Sequence, residues 1–333
     1  MQFPLDIKNT SNMPRYFWHP SIVYVPEGFA GHSWWMAQTP FPPCDIKPYR
    51  DRYELPCIHY SDDGLHWLPI PNNPIDDITK EQEANRDFMS DPHLIYRDNH
   101  LELYYRLSIR KDERETYTIL LKRISYDGLS WPNRQIVADL RQSNEVAIWG
   151  KQIISQSILW TGEEYVCWYV DASHYIPNRH IRCTKSRDGI KWEVNNKCIL
   201  LSNDVIPWHI DVQYYEGKYM ATIYDRDAER LSIFRSDDGL KWQLYNHILT
   251  PARNPLLFYS GGIYRSSLVK TNDSYSIFFS GMNKVLNKSY IGRMDSDNMQ
   301  AWKISGSVTL EAVMDVVKIF IIKILRKISK SIV

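Results

Sequence analysis

Five residues, His19, Asp91, Ser155, His209 and Arg265, stand at equivalent places in an internal repeat and carry groups that can act together. A carboxylate between two imidazoles supplies general acid–base chemistry near neutral pH, and a guanidinium beside them can clamp a carboxylate or a phosphate. Two residues further along each segment come Ser21, His93, Ser157, Asp211 and Ser267. If the segments are strands, both sets share one face, because side chains on a strand alternate with a period of two. Polar or ionisable residues at every one of these positions predict a ligand site in which converging charges perturb one another's pKa values.

The elements that must position these residues are set by a repeated phrase. Ser61 to Trp67, Ser125 to Trp131, Ser186 to Trp192 and Ser236 to Trp242 all read Ser-x-Asp-Gly-x-x-Trp, and Ser296 to Trp302 keeps the Ser and the Trp but lacks the Asp and the Gly. Each phrase predicts a tight turn between antiparallel strands: Asp accepts backbone N–H bonds, Gly takes the positive-φ position and Trp returns to the apolar face. One or two carboxylates per copy make a poor calcium loop. Upstream of each phrase lie three short runs rich in aromatic and β-branched residues, so a unit of about 60 residues holds four strands, which is a propeller blade. The expected fold is all-β: a five-bladed β-propeller over residues 15–308, with blades at about 15–71, 86–140, 145–200, 203–250 and 258–308. An N-terminal segment, 1–14, precedes it.

Residues 309–333 differ in kind. Apolar residues from Leu310 to Ile328 fall at helical spacing, Glu311 and Asp315 sit at the amino end, and Lys318, Lys323, Arg326, Lys327 and Lys330 crowd the carboxyl end. Lysines interrupt the stretch too often for a bilayer span, so a basic amphipathic helix on an anionic membrane surface is expected, with packing against the propeller and self-association as the alternatives. Formal charge is +1 with 24% charged residues, which predicts no nucleic-acid partner. Five cysteines without zinc or CxxC spacing predict reduced thiols, and the first residues lack a secretory pattern; the expected location is cytoplasmic, peripheral at the inner membrane face.

In a propeller the first strand of each blade lines the channel, and the long connections, here 39–53, 72–87, 171–180, 225–230 and 251–259, share one face. That face is the expected working mouth. The five blades, with Asp91 and Pro92 opening the second, resemble the propeller glycoside hydrolases and phosphorylases of families 32, 43, 117 and 130. The run Met36 to Pro40, the Ser90–Asp91–Pro92 stretch and the Ser-x-Asp-Gly turns also resemble uncharacterised propeller proteins of bacterial capsule and lipopolysaccharide formation. The resemblance implies an Asp in blade one as base or nucleophile, an orienting Asp in blade two and an acidic Glu in blade three. Asp91 matches the second, while His19 and Ser155 occupy the other two places.

The residues expected to carry catalysis are therefore Asp91, His19, His209, Asp211 and Glu54, with Arg265, Ser155, His93, Arg106, Asp171 and Asp225 binding substrate; Glu145 is a further carboxylate near blade three. No cofactor is expected, and no metal, because His19, His93, His209 and Asp91 have zinc-ligand types without any local spacing. The expected function is cleavage or transfer of a glycosidic linkage on an acidic, phosphate-bearing or lipid-linked glycan in surface-polysaccharide metabolism. A non-catalytic glycan-binding protein and a phosphorylase-like enzyme are the alternatives.

Overall fold

The computed structural model describes residues 2–8, 16–41, 54–110, 116–173, 179–202 and 205–332, with side chains to residue 329. Most of the expected insertion at 39–53, and 174–178 of that at 171–180, lie outside the described residues. Five antiparallel sheets stand around a channel, each built from strands in chain order. Blade one is Phe17–Phe29, His32–Pro40, Cys57–Ser61 and His66–Pro69; blade two is Phe88–Arg97, His100–Arg110, Thr116–Ser125 and Gln135–Asp139. Blade three is Ile153–Trp160, Tyr165–Asp171, His180–Ser186 and Asn196–Lys197. Blade four is Pro207–Tyr215, Lys218–Asp225, Arg230–Ser236 and Lys241–Leu249, and blade five is Gly262–Lys270, Tyr275–Asn283, Lys288–Ser296 and Lys303–Ser305.

Two short parallel strands extend this plan. Asp6–Ile7 pairs with His66–Pro69, so the N-terminal segment adds an outer strand to blade one, and Leu5 N–H reaches the Ile291 carbonyl of blade five. Ile199–Leu200 likewise joins the outer strand of blade four. Helices α1 (Lys80–Ala84) and α2 (Ser143–Trp149) lie in the connections before blades two and three, and α3 (Leu310–Ile332) follows blade five.

The repeated phrase does what its residues dictate. In the turn after Ser186, Asp188 Oδ1 accepts N–H bonds from Ile190 and Lys191 at 2.9 and 2.8 Å, and Ser186 Oγ accepts the Gly189 N–H. Gly189 has φ 72°, and a Cβ there would also press on the Tyr104 hydroxyl of blade two, so conformation and close packing both require glycine. Trp67, Trp131, Trp192 and Trp242 are buried, whereas Trp302 is only partly so. In that fifth turn Asn298 replaces the Asp and Met299 takes the glycine's place at φ 60°.

The lower ring of channel residues closes the propeller. Ser21 Oγ accepts Leu94 N–H, the His93 ring bonds the Ile158 carbonyl, Ser157 Oγ accepts Val212 N–H, Asp211 Oδ2 accepts Leu268 N–H, and Ser267 Oγ accepts Ile22 N–H. Each blade is thus latched to the next by one buried side chain. An unpaired buried N–H costs about 1–3 kcal/mol, so Ser157→Ala should lower unfolding stability by about that amount. Urea denaturation would record it as a lower midpoint at an unchanged slope.

Candidate active site at the channel mouth

The upper ring lies where each inner strand breaks register with its neighbour: between Trp18 and Ser21, Ser90 and His93, Ile154 and Ser157, Pro207 and His209, and Ile263 and Ser266. At these bulges His19, Asp91 and Ser155 adopt φ of 54°, 52° and 52°. A left-handed backbone is costly for these residue types and persists where surrounding structure enforces it. Here it directs the side chains toward one point at the mouth end of the channel.

Asp91 is the hub. Its Oδ2 accepts from Arg106 Nε at 2.6 Å and from Ser155 N–H at 3.1 Å, and its Oδ1 faces Arg265 Nη1 at 3.3 Å. His19 Nε2 and His209 Nδ1 each lie 3.8 Å from the same Oδ1. Burial opposes a charge on Asp91, but Arg106, together with the other neighbours, outweighs it and holds the carboxyl well below the usual carboxylate range. Burial has the opposite consequence for the imidazoles: it brings His19 down to about 4, against the pull of Asp91, and takes His209 well below its ordinary value. Both rings are therefore neutral at pH 7 and offer lone pairs. His19 Nδ1 is held by the Thr39 hydroxyl at 2.7 Å, while both nitrogens of His209 are buried without a hydrogen-bond partner.

Donor atoms of His19, Asp91 and His209 lie within 4.8 Å of one another. The expectation of no metal rested on the lack of any local spacing; these three residues are far apart in sequence, and blade closure brings them together. Neutral imidazole twice and carboxylate once is a donor set for divalent zinc, manganese or iron, and the orphaned His209 nitrogens fit such an ion. Glu54, at φ 58° just before the third strand of blade one, adds a buried carboxyl whose Oε2 has no partner. Its burial raises its pKa to about 8, with Arg106 opposing.

Several residues expected to touch substrate do other work. Arg265 is 1% exposed, and its Nη2 donates to the Gln156 carbonyl at 3.2 Å, so it lies beneath Asp91 and cannot clamp a ligand. Ser155 holds Asp91 through its N–H and bonds Ile210 through its hydroxyl. Asp211 and His93 belong to the latching ring, 3.8 Å apart, and burial raises Asp211 to about 6. Asp171 pairs with Arg182 at 2.6 Å, and Asp225 caps the turn at Asp227; both are buried loop supports. Glu145 sits in the first turn of α2 and bonds Asn144. Arg106, from the second strand of blade two, also reaches the ring, as a partner of Asp91.

The sequence reading missed the aromatic wall. Tyr264 packs on His209 and His19 with ring centroids 4.2 and 5.5 Å away, Trp18 meets Tyr264 at 5.5 Å, and Trp208 Nε1 donates to the Tyr264 hydroxyl at 2.7 Å. Trp18, Trp208 and Tyr264 each directly precede a ring residue, and that adjacency was the available signal.

No protein-family model matches the chain. Among curated proteins, the A type blood N-acetyl-α-D-galactosamine deacetylase of Flavonifractor plautii is similar, 21% identical over 363 aligned positions that cover 93% of this chain and 44% of that protein. The chain thus spans less than half the length of this relative. A crystal structure of an N-acetylgalactosamine deacetylase from F. plautii in complex with blood group B trisaccharide superposes with a TM-score of 0.72 at 19% identity, over 90% of this chain and 95% of that one. A β-xylosidase gives 0.60 at 12% identity over 89% and 97%. The GH43_1 enzyme from Xanthomonas citri complexed with xylotriose gives 0.60 at 11% over 92% and 93%. The five-bladed propeller is therefore shared with family 43 glycoside hydrolases and with a deacetylase that binds sugar.

Proposed function

We propose that the mouth hydrolyses the N-acyl group of an amino sugar in a glycan, with His19, Asp91 and His209 holding a divalent cation. The observation that carries this reading is the convergence of two neutral imidazoles on one ionised carboxylate. Glycosidic cleavage, the reading reached from sequence, needs two carboxyls in acid and base or nucleophile roles. The two places that the propeller glycosidases give to that pair hold His19 and Ser155 here, and Asp91 stands at the orienting place. The similarity to a deacetylase supports the same choice.

A bound cation would supply Lewis-acid polarisation of the acyl oxygen and an acidified water. The chain's own groups do the rest. Arg106 and the Ser155 N–H keep Asp91 ionised and oriented, and Thr39 fixes the His19 tautomer. Tyr264 and Trp18 present apolar faces to the sugar ring. In its ionised form, which a nearby bound cation would favour, Glu54 would take a proton from the attacking water and return it to the amine as the C–N bond breaks. The test is to incubate the protein with N-acetylgalactosamine- and N-acetylglucosamine-terminated oligosaccharides and assay acetate and reducing ends separately. Acetate matched by free amine, lost after chelation, is expected; reducing ends without acetate would overturn the reading.

We further propose that this chemistry takes place at an anionic membrane surface. Helix α3 docks on blade five through Ala312, Asp315 and Ile319, with Asp315 Oδ2 receiving Lys288 Nζ at 2.7 Å and the Tyr290 hydroxyl at 2.9 Å. Its broader apolar stripe, Leu310, Val313, Val317, Phe320, Ile324 and Ile328, points the other way and is exposed. Among the described residues no helix is long and apolar enough to cross a membrane. From Val316 to Val333 the chain has no acidic residue, and Lys318, Lys323, Arg326, Lys327 and Lys330 fall in the same stretch. Like charges oppose pairing with a second copy, whereas anionic headgroups complement them. Removing residues 308–333, or combining Lys323→Glu, Arg326→Glu and Lys327→Glu, should abolish binding to phosphatidylglycerol vesicles and leave the propeller folded. Equal binding by all three proteins would contradict the proposal.

A further inference from the structure

Beside the aromatic wall two cations crowd one ring. The guanidinium carbons of Arg179 and Arg226 stand 3.8 and 4.0 Å from the centroid of the Trp208 ring. Arg179 follows the second strand of blade three and Arg226 follows that of blade four, so both lie at the mouth end of their blades. Trp208 bonds Tyr264, and Tyr264 packs on His209, which sets the two guanidinium groups two side chains away from the His19–Asp91–His209 cluster.

Stacking on an indole is favourable, about 0.5–2 kcal/mol for each cation, yet it leaves the in-plane N–H donors unused. Arg179 Nε and Nη1 are buried and have no acceptor among the described residues, and no carboxylate there pairs with this side chain. Buried donors without acceptors are costly, and two like charges beside one ring add repulsion. Burial and the nearby Arg226 bring Arg179 down to about 10, which still leaves it cationic at neutral pH. An anionic acceptor would satisfy the donors and the charge at once.

We infer that Arg179, Arg226 and Trp208 form an anion subsite, which takes a carboxylate or phosphate carried by the glycan next to the sugar that reacts. The planar guanidinium matches either group with paired N–H bonds, and the indole edge supports the adjoining sugar ring. The anion-binding role expected of Arg265 thus passes to arginines at the rim, because Arg265 is spent beneath Asp91. This inference deepens the proposed deacylation by naming an acidic or phosphorylated glycan as its substrate, and it rests on that reading for the position of the reacting sugar.

Binding can be measured without turnover. Calorimetric titration at low salt with galacturonic acid, galactose 6-phosphate and galactose would compare the wild type with Arg179→Gln and Arg226→Gln. One or both charged sugars should bind the wild type about tenfold or more tightly than galactose, and the preference should fall about tenfold in each variant while galactose affinity holds. Which charged sugar is preferred separates carboxylate from phosphate. Equal affinity for charged and neutral sugars in the wild type, binding of none of them at millimolar concentration, or an undiminished preference in both variants would overturn the subsite. Repeating the titration on His209→Ala separates the two ideas: charged-sugar preference retained in a protein that releases no acetate supports the subsite independently of the hydrolysis.

Discussion

Asp91→Asn should leave turnover at background and also destabilise the propeller by about 3–5 kcal/mol, because the change strands one buried and one half-buried guanidinium group. Arg106 and Arg265 both face the carboxylate, and Arg265 has almost no access to water. An isosteric amide keeps the volume and one carbonyl oxygen but removes the charge that both arginines require. The effect separates this hub from an ordinary catalytic acid, whose replacement is often neutral for stability. Denaturant unfolding and acetate release measured on the same preparation would test it. An unchanged unfolding midpoint would mean that Arg106 and Arg265 find other partners.

Glu54→Gln should do the reverse. Burial raises Glu54 to about 8, so in the cation-free protein it is mainly protonated at pH 7, and a neutral amide of the same size replaces a neutral acid. Stability should change by less than about 1 kcal/mol, since no charge pair is broken. Turnover should fall by about 10²–10⁴-fold with little change in KM, the range expected for loss of a proton-transferring group. Stability effects and rate effects thus fall on different carboxyls of one site. A variant with near wild-type kcat would remove Glu54 from the reaction.

Much of this architecture is legible in the residues. The Ser-x-Asp-Gly turns identify the blades because Asp and Gly are forced there by hydrogen bonding and by positive φ, and the channel positions follow from strand alternation. Alternation says which way a side chain faces, not what it meets. It therefore grouped Asp211 and His93 with the reacting ring, whereas they latch blade four to blade five and blade two to blade three. It also gave Arg265 to the substrate, since only the structure reveals Asp91 in front of it.

The convergence of His19, Asp91 and His209 escaped detection for a related reason. His19, Asp91 and His209 come from three blades, and their donors meet only when the ring closes and two bulges turn the backbone left-handed. Arg179 and Arg226 stand in connections that do not repeat, so aligning the blades gave them no place. In α3 the apolar spacing was correct, but the docked side is the narrower face carrying Ala312, Asp315 and Ile319. A buried ion-paired aspartate between only two apolar contacts is invisible to a hydrophobic periodicity.

Whether His19, Asp91 and His209 hold a divalent cation can be measured by calorimetric titration of chelator-stripped protein with Zn²⁺ and Mn²⁺, wild type beside His209→Ala. One site per chain is expected in the wild type for at least one of the two ions, weakened about 100-fold or more when the imidazole is removed. No binding in the wild type, or equal affinity in the variant, would contradict the proposal.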